Sequence, residues 1–233
     1  MQTQRQISVR KAAQAGQATV VQSAILEAAE TLFAKRGLQG TRVRDIADMA
    51  GVNVATLYNY YTNKDALYEA VLDRGIQPLI DIMKQFSAEA SQGVEAAELI
   101  DAIMAHLQKY PNISRLIYLE AISDGEYLQK LSSQWLRPLL QLQRDLLTAM
   151  GLESSPDNES IHPLLSSLFI QLSFGHFAIA PLLKEVYGQD PTSPHGIAQQ
   201  KRLIAFLAGQ LFQFPLYTPS TVDSHLAAQE QPR

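Results

Sequence analysis

Apolar residues recur along most of this chain at every third or fourth position, which is the spacing of one face of an α-helix. The clearest stripe starts near Thr19 and ends before Gly37, and Glu30 is among the residues on the opposite face. Its members are Val21, Ile25, Ala28, Ala29, Leu32 and Phe33. Sustained alternation of apolar and polar residues, which would indicate a strand, is absent from the sequence. The pattern predicts an all-α fold of about nine helices.

Cap residues and breakers divide this pattern into separate helices. Thr41 begins a second helix and Gly51 ends it, while Asn53 begins a third of about two turns. A fourth helix begins at Thr62 or Asn63. Further helices are predicted at 76–91, 95–109, 113–122, 126–150, 161–187 and 195–213.

The fourth helix contains Gly75 and Pro78. Because proline removes one backbone hydrogen bond and clashes with the preceding turn, we expect a kink or break there.

Composition excludes some kinds of site and locates the positive charge. The chain has 233 residues, 46% of them apolar, which suffices for a core and predicts one or two domains. It lacks cysteine, so disulfides, cysteine metal sites and cysteine nucleophiles are excluded. Residues 1–74 carry nine Lys or Arg and seven Asp or Glu, whereas residues 75–233 carry ten and sixteen. A weakly basic first region therefore precedes an acidic one.

The first 26 residues contain Arg5, Arg10 and Lys11 and no acid. They lack the apolar stretch of a secretory signal, although their composition leaves an organelle transit peptide open. We expect a flexible basic arm over residues 1–18.

A long uncharged stretch, Leu164 to Leu183, is long enough to cross a bilayer. Several serines together with Gln171 and His176 interrupt it, Pro181 lies near its end, and no basic cluster flanks it. A helix apolar on most of its circumference can instead be buried between its own subunit and a second one. We therefore expect no membrane insertion.

The segment from Thr41 to Lys64, TRVRDIADMAGVNVATLYNYYTNK, has the order of a helix-turn-helix: a helix, a turn with glycine, and a short second helix. Turning the second helix by about 100° per residue puts Leu57 and Tyr61 on one side. Ala55 and Asn59 fall on the other side. These two side chains are predicted to face outward, where they can enter a DNA major groove.

The outward residues have chemistry suited to a duplex. Asn59 can bond an adenine edge, and Ala55 can touch a thymine methyl group. Thr56 and Tyr58 flank this face and can reach phosphates, and Arg44 can read a guanine or neutralise a phosphate. Thr41 and Lys64 lie at helix N-termini, which favour anions. The alternative is plain helix packing with the tyrosines in the core; Tyr61 fits that description, and Tyr60 fits either.

The same segment resembles the DNA-binding signature of the TetR/AcrR family of bacterial transcriptional regulators. The resemblance covers Ile25 to Val71, with Asn53 where serine is usual and Tyr61 where phenylalanine is usual. The matching residues are Gly37, Thr41, Ile46, Ala47, Ala50, Gly51, Val52, Thr56, Leu57, Tyr58, Tyr60, Lys64 and Leu67.

The resemblance implies a cytoplasmic DNA-binding repressor that acts as an all-α homodimer. Its domains would be a DNA-binding domain at 19–74 and a regulatory, dimerising domain at 75–214. Residues 215–233 contain three prolines and little apolar periodicity, so we expect a disordered tail there. Segments 161–187 and 195–213 would form the bundle between subunits. Phosphate contacts would come from Thr41, Tyr58 and Lys64, and base contacts from Arg44, Val54, Ala55 and Asn59, with Arg42, Asn53, Thr56 and Tyr60 also at the DNA.

The resemblance further implies an effector cavity among the middle helices. Because these helices offer few charged residues, we expect a small apolar or amphipathic effector. We expect no cofactor, metal or catalytic residue. The candidate wall residues are Phe86, Met104, Tyr118, Trp135, Phe169, Phe174 and Phe177, and the candidate polar contacts are His106, Glu120, Gln171 and His176. Each of these is also compatible with ordinary core packing.

Two other functions remain open to the sequence alone. One is a DNA-binding protein whose helical body is a platform for protein partners and takes no effector. The other is an enzyme, although the chain has no nucleophile elbow, HExxH or kinase motif.

Overall fold

The computed structural model describes residues 2–89, 96–123, 125, 127–149 and 162–213. Over these ranges the chain is α-helical without a strand, which confirms the predicted fold class. The helices are α1 (Gln2–Arg36), α2 (Val43–Met49), α3 (Val54–Tyr60), α4 (Lys64–Glu89), α5 (Ala96–Lys109), α6 (Pro111–Ile122), α7 (Leu128–Leu131), α8 (Arg137–Ala149), α9 (His162–Ile170), α10 (His176–Ala178), α11 (Ala180–Tyr187) and α12 (Pro194–Gln213). The π-helical turns Ser132–Leu136 and Gln171–Gly175 join α7 to α8 and α9 to α10.

Helix α1 begins at Gln2 rather than near Thr19. Residues 2–18, which we expected to form a flexible arm, continue it as helix. They are rich in Ala, Gln and basic residues, which are good helix formers, and lengthening an existing helix needs no new nucleus. The predicted tail at 215–233 and the predicted loop at 151–160 lie outside the described residues.

Helix α4 runs unbroken from Lys64 to Glu89, so no break occurs at Pro78. A proline inside a helix costs roughly 3 kcal/mol. The neighbouring side chains Ile76, Leu79 and Ile80 are all buried. Burial of an aliphatic side chain contributes about 1.5 to 3 kcal/mol, so these three offset that cost.

The chain divides into two compact units. The first contains residues 1–79 and 109–135, and the second contains residues 80–108 and 136–233. The domain boundaries predicted at residues 18, 74 and 214 stay predictions.

In the first unit, a core forms where α1, α3, α4 and α6 meet. Phe33 of α1 packs edge-on against Tyr68 of α4, with ring centroids 5.0 Å apart, and Leu57 of α3 is fully buried. A Cβ added to Gly75 would lie 2.0 Å from Ile113 Cγ1. Only glycine at this position allows α4 and α6 to approach so closely.

In the second unit, the predicted helix 161–187 is divided into three. The segments Pro163–Ala178 and Ala180–Tyr187 meet at 62°, because Pro181 in the first turn of α11 has no amide hydrogen for a continuous helix. Gln200 of α12 donates to the Leu172 carbonyl, 2.7 Å away, inside the π-helical turn. Phe174 of that turn and Phe177 of α10 are buried.

Among the described helices, no single one is long and apolar enough to cross a membrane. The bent pair Pro163–Ala178 and Ala180–Tyr187 meets the length and composition criteria only when its two parts are taken together.

Candidate nucleic-acid interface

The turn between α2 and α3 is fixed by backbone and cap hydrogen bonds. Gly51 has φ of 68°, a conformation that glycine adopts without strain, and Val52 N donates to Ala47 O at 3.0 Å. Asn53 then caps α3, because its Oδ1 accepts from Thr56 N at 2.7 Å. The sequence predicted both the glycine and the cap.

Helix α3 presents the predicted residues outward. Leu57 is fully buried and Tyr61 nearly so, whereas Ala55, Asn59 and Tyr58 are exposed, Tyr58 by 47%. This confirms the orientation expected from the helical rotation. Val54, Thr56 and Tyr60 are half-buried at the edges of the exposed face.

Two exposed arginines lie at the start of α2, the helix that precedes α3. Arg42 is the residue before the helix, with extended backbone, and Arg44 is in its first turn. Among the described residues, neither guanidinium has a carboxylate within ion-pair distance. The acid of this turn, Asp45, instead pairs with Arg36 at 2.7 Å. Arg42 and Arg44 are thus positioned to meet an anion, and Arg36 neutralises the acid beside them.

Thr41 has a different environment from the one we expected. Its side chain is 1% exposed, and its Oγ1 lies 2.8 Å from Gly37 O and 3.2 Å from Leu32 O. In this conformation the hydroxyl bonds carbonyls within the domain, and a phosphate contact by Thr41 stays a prediction. Thr41 therefore holds the turn between α1 and α2.

Lys64 supports the same turn. Its Nζ donates to Leu38 O at 2.8 Å and to Thr41 O at 3.3 Å. The side chain is half-buried, so in this conformation its ammonium binds carbonyls within the domain. A phosphate contact by Lys64 stays a prediction.

Glu30 is buried, although its position on the first helix predicted an exposed side chain. Its carboxylate pairs with Arg74 of α4 at 2.6 Å and accepts from Asn112 Nδ2 at 3.3 Å. The Arg74 guanidinium also lies over the Tyr110 ring, 5.4 Å from its centroid. A carboxylate can be buried when it is paired and hydrogen-bonded in this way. The spacing of residues within α1 could not predict this burial, because the partners Arg74 and Asn112 are 44 and 82 residues away.

Glu120, a predicted effector contact, is bonded inside the first unit. It accepts from Tyr68 Oη at 2.6 Å and from Tyr127 N at 3.3 Å, and Tyr127 Oη donates to Asp65 at 2.7 Å. Burial, followed by the hydrogen bond to Glu120, raises the pKa of Tyr68 far above its ordinary value. The carboxylate of Glu120 thus joins α6 to α4.

The other predicted effector residues are divided between the units. In the first, Trp135 is buried with its Nε1 3.4 Å from Asp73 Oδ1, and Tyr118 is half-buried, which raises its pKa. In the second, Met104, Phe174 and Phe177 are buried, Phe86, His106 and Phe169 are half-buried, and Gln171 is exposed. Their role at an effector site stays a prediction.

His176 lines a groove of about 320 Å³ in the second unit. Its Nε2 lies 2.9 Å from Pro191 O, and burial lowers its pKa. Nearby, hydrogen bonds from Thr192, followed by the Lys184 ammonium, lower the pKa of Asp190 to about 2. The groove was not predicted, because its lining combines a loop with residues of α10, α11 and α12, whose proximity periodicity within one helix does not show.

A second groove, of about 420 Å³, lies in the first unit between the end of α1 and the end of α6.

Within the described part of the chain, no three His, Asp or Glu side chains are grouped so that they could hold a metal ion.

Comparison with known proteins identifies the family. A sequence model for bacterial regulatory proteins of the tetR family matches residues 25–71. The HTH-type transcriptional regulator RutR of Escherichia coli K12 is 30% identical over 166 residues, covering 71% of this chain and 77% of RutR. This chain belongs to the TetR family. It is accordingly a DNA-binding transcriptional regulator rather than an enzyme, and TetR-family regulators bind DNA operators as dimers.

The chain is also similar to a second curated regulator and, in fold, to a solved structure. The HTH-type transcriptional repressor KstR2 of Rhodococcus jostii is 35% identical over 80 residues, which cover 34% of this chain and 38% of KstR2. The crystal structure of a TetR/AcrR-family regulator from Aquifex aeolicus matches the fold with a TM-score of 0.54. It is 15% identical, and the match covers 80% of this chain and 99% of that one.

Proposed function

We propose that this TetR-family regulator is a cytoplasmic repressor that binds a near-palindromic operator as a homodimer and is released by a small apolar or amphipathic effector. The observation that carries the operator proposal is the outward face of α3, with Ala55 and Asn59 exposed, together with the exposed Arg44 in the first turn of the preceding α2, which has no ion pair among the described residues. A face of this size and polarity fits a major groove.

Each exposed residue has a proposed role at the operator. Asn59 bonds an adenine edge, Ala55 approaches a thymine methyl group, and Arg44 reads a guanine or binds a phosphate. The remaining contacts, to phosphates and flanking edges, come from Arg42, Asn53, Val54, Thr56, Tyr58 and Tyr60. Thr41 and Lys64 position α2, since their polar groups bond carbonyls of the α1–α2 turn.

Exposed apolar side chains support dimerisation through α9–α12. Leu182 and Val186 are on one face of α11, 62% and 63% exposed, and Leu203 and Phe206 are one turn apart on α12. Large apolar residues grouped in this way are typical of an interface between proteins. A twofold dimer through segments 161–187 and 195–213 presents two copies of α3 to a palindrome.

The effector proposal rests on helix α4, which begins directly after the helix-turn-helix and continues past Pro78 to Glu89. An effector that favours one position of α4 would lower operator affinity by a coupling free energy of roughly 1 to 3 kcal/mol. Because Pro78 leaves one carbonyl of the preceding turn without its helical partner, this position is the most easily deformed part of α4. Pro78→Ala should therefore change effector release while leaving effector affinity unaltered.

The operator is tested by selecting duplexes from a random pool with the purified protein and mapping the contacts by footprinting. The expected product is an inverted repeat whose half-sites are centred about one helical turn, or a multiple of it, apart. Recovery of duplexes without an inverted repeat would contradict the dimeric operator. The selected duplex then serves in release titrations with fractionated metabolites, and retention against every fraction would favour a body that binds protein partners.

A further inference from the structure

The extension of α1 ahead of the helix-turn-helix carries only positive charge. Residues 1–26 include Arg5, Arg10 and Lys11, and the first acid of the chain is Glu27. The backbone from Gln2 is part of one continuous helix that ends at Arg36. The operator contacts proposed for α2 and α3 do not involve this segment.

The extension leaves the domain beside the proposed recognition helix. Gln22 Nε2 donates to Tyr61 Oη, 3.4 Å away, and Tyr61 is the residue that ends α3. Among the residues of α1 from Ala18 onward, the first fully buried side chain is Ile25. Residues 2–21 therefore extend α1 beyond this contact by about 30 Å, at 1.5 Å per residue.

We propose that residues 2–18 bind the phosphate backbone of the DNA duplex next to the sequence read by α3. This inference rests on the proposed operator binding. Arg and Lys bind phosphates of any sequence and release counterions, and this strengthens binding at low salt. A segment that is already helical also loses less conformational entropy on binding than a disordered arm.

Duplex DNA fits the extension better than a membrane surface does. A helix that lies on a bilayer needs a broad apolar face. Ile7 and Val9 are the only large aliphatic residues between Gln2 and Ala18, where Ala and Gln prevail. The extension continues from a point, Gln22, that contacts the end of α3, and its sequence contains no acid. Both features favour an anionic partner that α3 also touches.

The test compares two lengths of the duplex that the wild-type protein selects. One is trimmed to the selected repeat, and the other carries about ten additional base pairs at each end. Affinity is measured by fluorescence anisotropy at several salt concentrations for wild type and for the triple variant Arg5→Gln, Arg10→Gln, Lys11→Gln. A matched control, Lys84→Gln, Arg137→Gln, Arg144→Gln, removes three exposed cations of the second unit.

The triple variant should bind the longer duplex roughly tenfold more weakly and the trimmed duplex as wild type does. The slope of log affinity against log salt should fall by about 0.9 for each phosphate contact that is lost. A scrambled duplex of the longer length should lose affinity by the same factor, because phosphate contacts do not read sequence. Deletion of residues 2–17 should reproduce these changes and provides a second variant if the first fails to fold.

Equal affinity and equal salt slope for the triple variant and wild type on the longer duplex would overturn the inference. So would the same loss in the control variant. Loss of binding to phosphatidylglycerol vesicles with unchanged DNA binding would assign the extension to a membrane instead. Failure to select any duplex at all would overturn the proposed operator binding and is thereby distinguishable from these results.

Discussion

The exposed side chains of α3 and of α11–α12 differ in chemistry. On α3 they are small or can form hydrogen bonds, as in Ala55 and Asn59. On α11 and α12 they are large and apolar, as in Val186 and Phe206. A DNA groove accepts the first kind, and a second protein surface accepts the second. Exposure alone thus locates a contact surface, and the chemistry of the surface indicates its partner.

The largest expected effect comes from charging the apolar surface. Leu182→Glu combined with Val186→Glu should separate the dimer and lower operator affinity about 100-fold or more, because each monomer then binds without its tethered partner. Sedimentation velocity measures the first change and anisotropy the second. Ile122→Glu is the control, since Ile122 is 80% exposed on α6 and outside this surface. A dimeric double variant, or a monomeric control, would refute the proposed interface.

A smaller effect is expected from the polar surface. Arg44→Ala should cost about 1 to 3 kcal/mol of operator binding. The loss is confined to one base position if Arg44 reads a base, and is uniform across sequences if it binds a phosphate. Arg144→Ala, a matched exposed arginine of the second unit, should leave affinity unchanged. Equal losses in the two variants would remove Arg44 from the interface.

Next in size is the loss of a helix cap. Asn53 and Asn63 each accept a backbone N–H at 2.7 Å, at the starts of α3 and α4. Asn53→Ala and Asn63→Ala should each lower the free energy of unfolding by about 1 kcal/mol, measured in urea. Only Asn53→Ala should also weaken operator binding at temperatures where both variants are folded. A larger loss of operator affinity in Asn63→Ala would contradict the role of α3.

The free energy of unfolding is expected to depend on pH through His176 of the second unit. Burial lowers the pKa of His176 below its ordinary value of 6.5, so the unfolded chain binds more protons than the folded one as pH falls through this range. The free energy of unfolding should therefore decrease below about pH 6.5. In His176→Asn, which removes the titrating group, this decrease should be smaller. Identical pH profiles of the free energy of unfolding for the two proteins, measured in urea, would exclude His176 as the source of this decrease.

Local spacing accounts for much of the DNA-binding face. Leu57 and Tyr61 are buried and Ala55 and Asn59 exposed, as a rotation of about 100° per residue requires. The cap Asn53 could equally be predicted from the sequence, because the N–H that it accepts belongs to Thr56, three residues later. Effector residues were less accessible to such reasoning, because apolar side chains at helical spacing look alike whether they fill a core or line a cavity.

The sequence by itself determined the all-α class, the turn at Gly51 and the family, since each depends on residues close together along the chain. The start of α1 and the division of segment 161–187 into three helices were not predicted from it. Tertiary structure decided the environments of Glu30, Thr41 and Glu120. Glu30 can be buried because Arg74 of α4 forms an ion pair with it. Glu120 is bonded inside the unit because Tyr68, also of α4, donates a hydrogen bond to it. Thr41 points inward to carbonyls of the preceding turn. Helical periodicity predicts which face of its helix a residue occupies. It does not predict the partner of a buried polar group, because that partner belongs to another element.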